Sequence, residues 1–219
     1  MIRISRAAFL VRIERHVPNT SPPLLALAGG AGSGKSTLAA ALAAARPATA
    51  VVHLDACFHH DTARAPCVPV IDGEGVSVDF SDPAAMDRAR VEEAIGAALG
   101  MGRLVVVEGT FALTLPYVRD RARWTVYVDV PADIRLARKT LRKLHADEDP
   151  RAGLLGYLAH GRAAHERHVE PMARYARLLL DGTAPVHQLV RELGRFLGSH
   201  GENAARKRRT GRDRPVRRL

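Results

Sequence analysis

Only two of the 219 residues are cysteine, Cys57 and Cys67, and aromatic residues make up 5% of the chain. Two cysteines cannot build a disulfide framework, which excludes a small stapled secreted scaffold and fits a reducing compartment. With so few aromatics, the core has to be assembled from Ala, Leu and Val. No apolar run approaches the roughly 20 residues that a membrane-spanning helix needs. The opening stretch "MIRISRAAFLVRIERHV" interleaves Arg and Glu with its apolar residues instead of forming the apolar centre of a signal peptide. The expectation is a cytoplasmic protein with no membrane partner. No internal repeat is apparent either.

What is there begins with charge. The formal net charge is +10, but from Arg206 to Leu219, "RKRRTGRDRPVRRL", eight basic residues stand against one acidic residue, so this segment carries +7 and the rest of the chain only +3. A segment so basic, with little to bury, reads as a disordered tail over residues 201–219 whose contact with nucleic acid is at most weak polyanion binding. The remainder has 47% hydrophobic and 26% charged residues over the whole chain, ordinary values for a globular protein of one domain.

Short apolar runs alternate with helical patterns: "LLALA", "AVVHLD", "RLVVVEG", "WTVYVDV" and "RLLLDG" read as strands with helices between them. That alternation predicts a parallel sheet covered by helices, because parallel strands are buried on both faces and read as nearly continuous apolar runs. A helix is expected at 1–20, and another over "DPAAMDRARVEEAIGAAL", with Asp82 as its cap and Pro83 as its first residue. Residues 56–82, rich in turn signals, form the longest loop-like stretch.

Between the first strand and its helix lies "GGAGSGKST". Gly29, Gly34, Lys35 and Ser36 fit the pattern G-x-x-x-x-G-K-[ST], in the strand-to-helix setting that pattern requires. Glycines let backbone N–H groups turn inward around phosphate oxygens, and the start of the following helix aims the positive end of its dipole at the same anion. The loop Gly29, Gly30, Ala31, Gly32, Ser33, Gly34, Lys35, Ser36 and Thr37 is therefore the candidate site for a nucleoside triphosphate. Lys35 is expected on the phosphates and Ser36 on magnesium.

Switches, motors and small-molecule kinases all use such loops. The guanine-specific N-K-x-D segment of a GTPase switch is absent, and the length is small for a motor. In open α/β sheets ligands bind beyond the carboxyl ends of the strands, where Asp55 follows the second strand and Glu108 ends the third. Phosphoryl transfer to an alcohol needs a carboxylate to take the hydroxyl proton and an acidic partner for the metal. Asp55 is assigned the first role and Glu108 the second. His53, Cys57, His59, His60 and Cys67 fit no common zinc spacing.

"GGAGSGKST", "HLDACF", "VDFSDPAAMD", "VVVEGTFAL", "DVPADIRLARKTLR" and "HERHVEPMARYARLLLDG" follow one another in the order and spacing of the uridine kinase and phosphoribulokinase family of P-loop kinases, which the chain resembles from about residue 24 to 183. The resemblance implies a three-layer α/β P-loop fold with a five-stranded parallel sheet flanked by helices and a short helical lid. One kinase domain is expected over residues 1–200, with the lid region at 135–160.

The resemblance further implies use of ATP and Mg2+, with Asp55 as base and Ser36 and Glu108 serving the metal. A basic lid would close over the phosphates, with Lys139 and Arg142 carried over from the family and Arg135 and Arg138 on the same helix. The small-molecule hydroxyl acceptor, a nucleoside first, would meet Asp55, Phe58, His59, Asp79, Phe80, Glu108, Lys139 and Arg142. Departures from the family concentrate on this acceptor side: the ribose-binding aspartate falls on Ser81, between Asp79 and Asp82, and the lid turn "HADEDPR" is short and acidic. Pantothenate, ribosyl-nicotinamide, a sugar phosphate or a specialised metabolite are the alternative acceptors, a nucleotide-binding regulator or nucleic-acid-associated ATPase using the basic tail is the reading from another class, and homo-oligomerisation is left open.

Overall fold

The computed structural model describes residues 22–71, 73–101 and 104–210, the side chains of 199–210 excepted. Five strands, β1 (Leu24–Gly29), β2 (Thr49–His53), β5 (Leu104–Glu108), β6 (Trp124–Asp129) and β7 (Leu178–Asp181), form a sheet in the order β2-β5-β1-β6-β7. Every pairing in it is parallel. The central β1 is buried at all six residues, the burial expected of a parallel strand covered on both faces.

Alternation along β1 divides the interior into two layers. Leu25 and Leu27 pack with Leu38 and Leu42 of α1 (Lys35–Ala45) and with Leu189 and Leu193 of α7 (Val186–Thr210). Ala26 and Ala28 face Val91 and Ile95 of α2 (Arg88–Met101), with Phe111 and Leu113 from the segment after β5. Each fully buried Leu or Ile contributes about 1.5–3 kcal/mol, so a sheet clothed on both sides is where a chain poor in aromatics finds its stability. The strand order switches sides at β1, with β5 and β2 on one side of it and β6 and β7 on the other, all running in the same direction. That switch opens a crevice at the carboxyl end of β1, where the glycine-rich loop emerges.

The expected parallel sheet of five strands is found, with helices on both faces. Three features differ from the sequence reading. Inside the stretch expected to be irregular, β3 (Cys67–Pro69) and β4 (Val76–Val78) make an antiparallel hairpin, each only three residues long. The helix expected from Asp82 begins later: Asp82 accepts from the Ala84 N–H and caps a single 3-10 turn, Pro83–Ala85, while Asp87 accepts from the Ala89 and Arg90 N–H groups and caps α2. Both aspartates carry out the same local chemistry, and the second one is followed by the apolar spacing of a true helix.

The third difference is at the basic end, where α7 continues as helix to Thr210 through the first ten residues of the expected tail. Ala, Arg, Lys and Glu are strong helix formers and extend a helix already anchored by Leu189, Leu193 and Leu197. The helix expected at 1–20 and residues 211–219 of the tail lie outside the described residues. After β6, the stretch expected as a lid, 135–160, falls within α4 (Ala132–His145), α5 (Arg151–Gly156) and a π-helical turn (Tyr157–Gly161), and α6 (Arg162–His168) follows. α3 (Pro116–Arg119) is one short turn between β5 and β6. Among the described residues no helix is long and apolar enough to cross a membrane.

Candidate active site

Gly32 and Gly34 adopt φ of 83° and 88°, in the left-handed region where a side chain is strained. At Gly32 a Cβ would also fall 2.3 Å from the Arg135 carbonyl oxygen, so the loop passes close under α4. The loop is closed by Ser33 N–H donating to the Gly30 carbonyl at 3.0 Å. α1 then begins with no side-chain cap and no acidic residue in its first turn. Its leading N–H groups are thus left for an anion. Lys35 is 6% exposed and has no hydrogen-bond or ion-pair partner among the described residues. Its Nζ is not among the buried unpartnered atoms, so a largely buried side chain brings an ammonium to the surface at the loop, where it can take an anion from outside.

Asp55 lies in a 3-10 turn, Leu54–Cys57, directly after β2, and is exposed. Its position is fixed from below. Leu54 is buried, and a Cβ on Gly109 would fall 2.6 Å from the Leu54 Cβ, so only glycine after β5 lets this turn sit down. Glu108, the last residue of β5, is paired in register with Leu27 of β1 and His53 of β2. Its Oε1 accepts from His53 Nδ1 at 2.6 Å, and its Oε2 is buried with no partner. The register therefore brings Glu108 beside the strand that feeds the loop. Among the described residues no group of three or more His, Cys, Asp or Glu side chains could hold a metal ion by itself. A magnesium site here would depend on phosphate oxygens and water with one or two protein ligands, as this metal commonly does.

Across from the loop, Phe58 is 7% exposed and meets Phe80 edge to face, with ring centroids 5.3 Å apart, and Phe111 at 6.2 Å. Phe80 itself is half exposed. His59 Nδ1 lies 3.4 Å from Asp87 Oδ2, both side chains being largely buried. Burial works against the Asp87 charge, but the Arg90 N–H, the His59 ring and the Ala89 N–H outweigh it and hold the carboxyl below its ordinary range. Asp79 Oδ1 accepts from both the backbone N–H and the hydroxyl of Ser81. His59 and Asp79, both expected on the acceptor, thus have local partners as well.

The lid cations separate. Arg135, 9% exposed, donates from Nε to the Val130 carbonyl at 3.0 Å and lies against the loop: a Cβ on Gly30 would fall 2.5 Å from its Nη1 and 2.8 Å from His165 Cε1. Burial, then the Arg135 charge, push the His165 pKa down to about 4, so the ring is neutral there. Arg135 and His165 line a cavity of about 300 Å3 together with Leu136, Tyr157, Arg162 and Glu170. Arg138 turns instead to the end of β7, donating to the Gly182 carbonyl at 3.0 Å. Burial and the charges of Lys143 and Arg142 lower the Lys139 pKa, and Arg142 is exposed.

The residue that touches the loop is therefore Arg135, ahead of the Lys139 and Arg142 carried over by resemblance. His53 and His165 were not among the expected site residues. The strand-end register could have found His53, since it is the residue opposite Glu108. Nothing local marks His165, which reaches the loop through tertiary packing.

Sheet order, loop and flanking helices define the class, a three-layer α/β P-loop fold. One step further, the chain resembles in sequence the uridine kinase family of P-loop kinases. It is 25% identical over 187 residues to the uridine kinase of Alkaliphilus metalliredigens, a match covering 73% of this chain and 86% of that enzyme. It is 38% identical over 80 residues to the uridine kinase of Deinococcus deserti, a match spanning 36% of this chain and only 39% of that enzyme's length. Among solved structures, a gluconokinase from Sinorhizobium meliloti superposes with a TM-score of 0.56 at 24% identity, covering 85% of this chain and 97% of that one. No protein-family model matches the chain.

Proposed function

We propose that the chain is an ATP- and Mg2+-dependent kinase that transfers the γ-phosphoryl group to a hydroxyl of a small molecule, with nucleosides such as uridine and cytidine as the first class of acceptor. The reading rests above all on Lys35, a largely buried side chain whose ammonium has no protein partner among the described residues, at the uncapped start of α1. Similarity to a uridine kinase over 86% of that enzyme's length supports the choice of acceptor.

In this reading the N–H groups of Gly29 to Thr37 and the Lys35 ammonium hold the phosphates, with Ser36 and the free Oε2 of Glu108 as the donors that fit magnesium. Magnesium, when bound, neutralises charge on the β and γ phosphate oxygens. Asp55 accepts the proton of the acceptor hydroxyl as that oxygen attacks, which suits an exposed carboxylate at the mouth of the crevice. Phe58, Phe80, His59 and Asp79 line the acceptor side. Arg135 supplies positive charge at the loop, and Arg138, Lys139 and Arg142 are the further cations along α4 for the phosphates.

A screen of ADP release across nucleosides, vitamins and sugar phosphates tests the proposal. Stimulation by uridine or cytidine is expected; stimulation only by another compound class would move the acceptor, and none by any compound would overturn the kinase reading.

A further inference from the structure

Glu108 is 3% exposed, and a carboxylate removed from water needs partners for both oxygens. One oxygen has a partner in His53; the other has none among the described residues, and no Lys or Arg forms an ion pair with it there. His53 arrives by register, as the last residue of β2 directly opposite Glu108 on β5. Its ring is 56% exposed and belongs to neither layer of the core, so packing does not account for its placement. An ionised carboxylate can only accept, so the 2.6 Å contact is His53 Nδ1–H donating to Oε1.

We propose that His53 is a positioning residue for the metal–nucleotide: by tying down Oε1 it fixes the Glu108 carboxylate so that Oε2 alone is presented to magnesium, directly or through a bound water. The inference rests on the loop being a magnesium–triphosphate site. A carboxylate free to turn could offer both oxygens to a cation, the bidentate mode that larger ions such as calcium accept, whereas magnesium keeps its waters and takes single oxygens in an octahedral shell. Partners that orient a ligating carboxylate typically change metal affinity by about 10- to 100-fold when removed.

The test measures binding, not turnover. Mn2+ replaces Mg2+, a non-hydrolysable ATP analogue is the nucleotide, and free Mn2+ is read by electron paramagnetic resonance. His53→Ala is expected to weaken Mn2+ binding in the ternary complex by about 10- to 100-fold while leaving nucleotide affinity in EDTA unchanged. His53→Asn, whose amide supplies a donor near the Nδ1 position, is expected to restore most of the loss. Should the alanine variant unfold, His53→Leu keeps bulk without a donor and carries the same comparison. Mn2+ binding by the alanine variant equal to that of the parent protein overturns the proposal, as does equal loss in the alanine and asparagine variants. Failure of the parent protein to bind nucleotide in either condition strikes the loop reading itself, and the His53 role falls with it.

Discussion

Around the glycine-rich loop the side chains that matter are placed by the sheet: Lys35 and Glu108 are buried, and register sets Glu108 between Leu27 and His53. From Phe58 to Asp87, on the opposite side of the crevice, the aspartates Asp79, Asp82 and Asp87 are held by short-range turns and caps, and the His59–Asp87 contact spans the stretch. The first arrangement fixes positions through many shared contacts and tolerates little change. The second rests on local hydrogen bonds that can be rewired one at a time. A cleft built this way can keep its loop side while the opposite side drifts, which is where the likeness to the uridine kinases is expected to weaken, at Ser81 and in the turn after α4.

The comparison can be broken most severely at Lys35. Lys35→Met should lower turnover by about 100- to 1,000-fold, read as initial ADP release, with the far-ultraviolet circular dichroism spectrum unchanged. Asp55→Asn, at the boundary of the two sides, should cut kcat by about 100-fold and leave ATP affinity near that of the parent protein; an unaltered rate would remove Asp55 from its role.

Gly109→Ala is predicted to act through stability, costing about 1–3 kcal/mol of overpacking against Leu54, visible as a lower Tm and a displaced Asp55 turn. His165 gives a pH dependence. The folded state keeps its ring neutral down to about pH 4, whereas an unfolded chain protonates it near 6.5, so between those values the unfolded state binds more protons. Stability should therefore fall as pH drops from about 6.5 to 4, and His165→Gln should flatten that slope in denaturant titrations. The smallest effect is expected from deleting residues 206–219: turnover within about twofold of the full chain, with weaker retention on a heparin column and a shallower salt dependence.

What could be read in advance follows the same division. β1, β5 and β6 are apolar runs long enough to be recognised, and the loop announces itself because its glycines and Lys35 are dictated by backbone geometry and charge. The hairpin β3–β4 escaped because its strands are three residues long, mostly unburied, and one of them ends in Pro69. Asp82 and Asp87 carry the same capping signal, and only packing against Val91 and Ile95 decides which of them starts the long helix. Arg135 and His165 meet at Gly30 from segments far apart in the chain. No spacing in the sequence encodes that meeting.

The strand order also bears on how the chain is made. β1 leaves the ribosome first of the five sheet strands, yet its neighbours are β5 and β6, so Leu24 waits for Val105 and Leu25 for Trp124. Until then a wholly apolar strand with unpaired edges stays open to other chains, and the long loops that must close before it is paired slow folding. The capture of β1 by β5 and β6 is therefore the step of folding at which pairing with another chain competes.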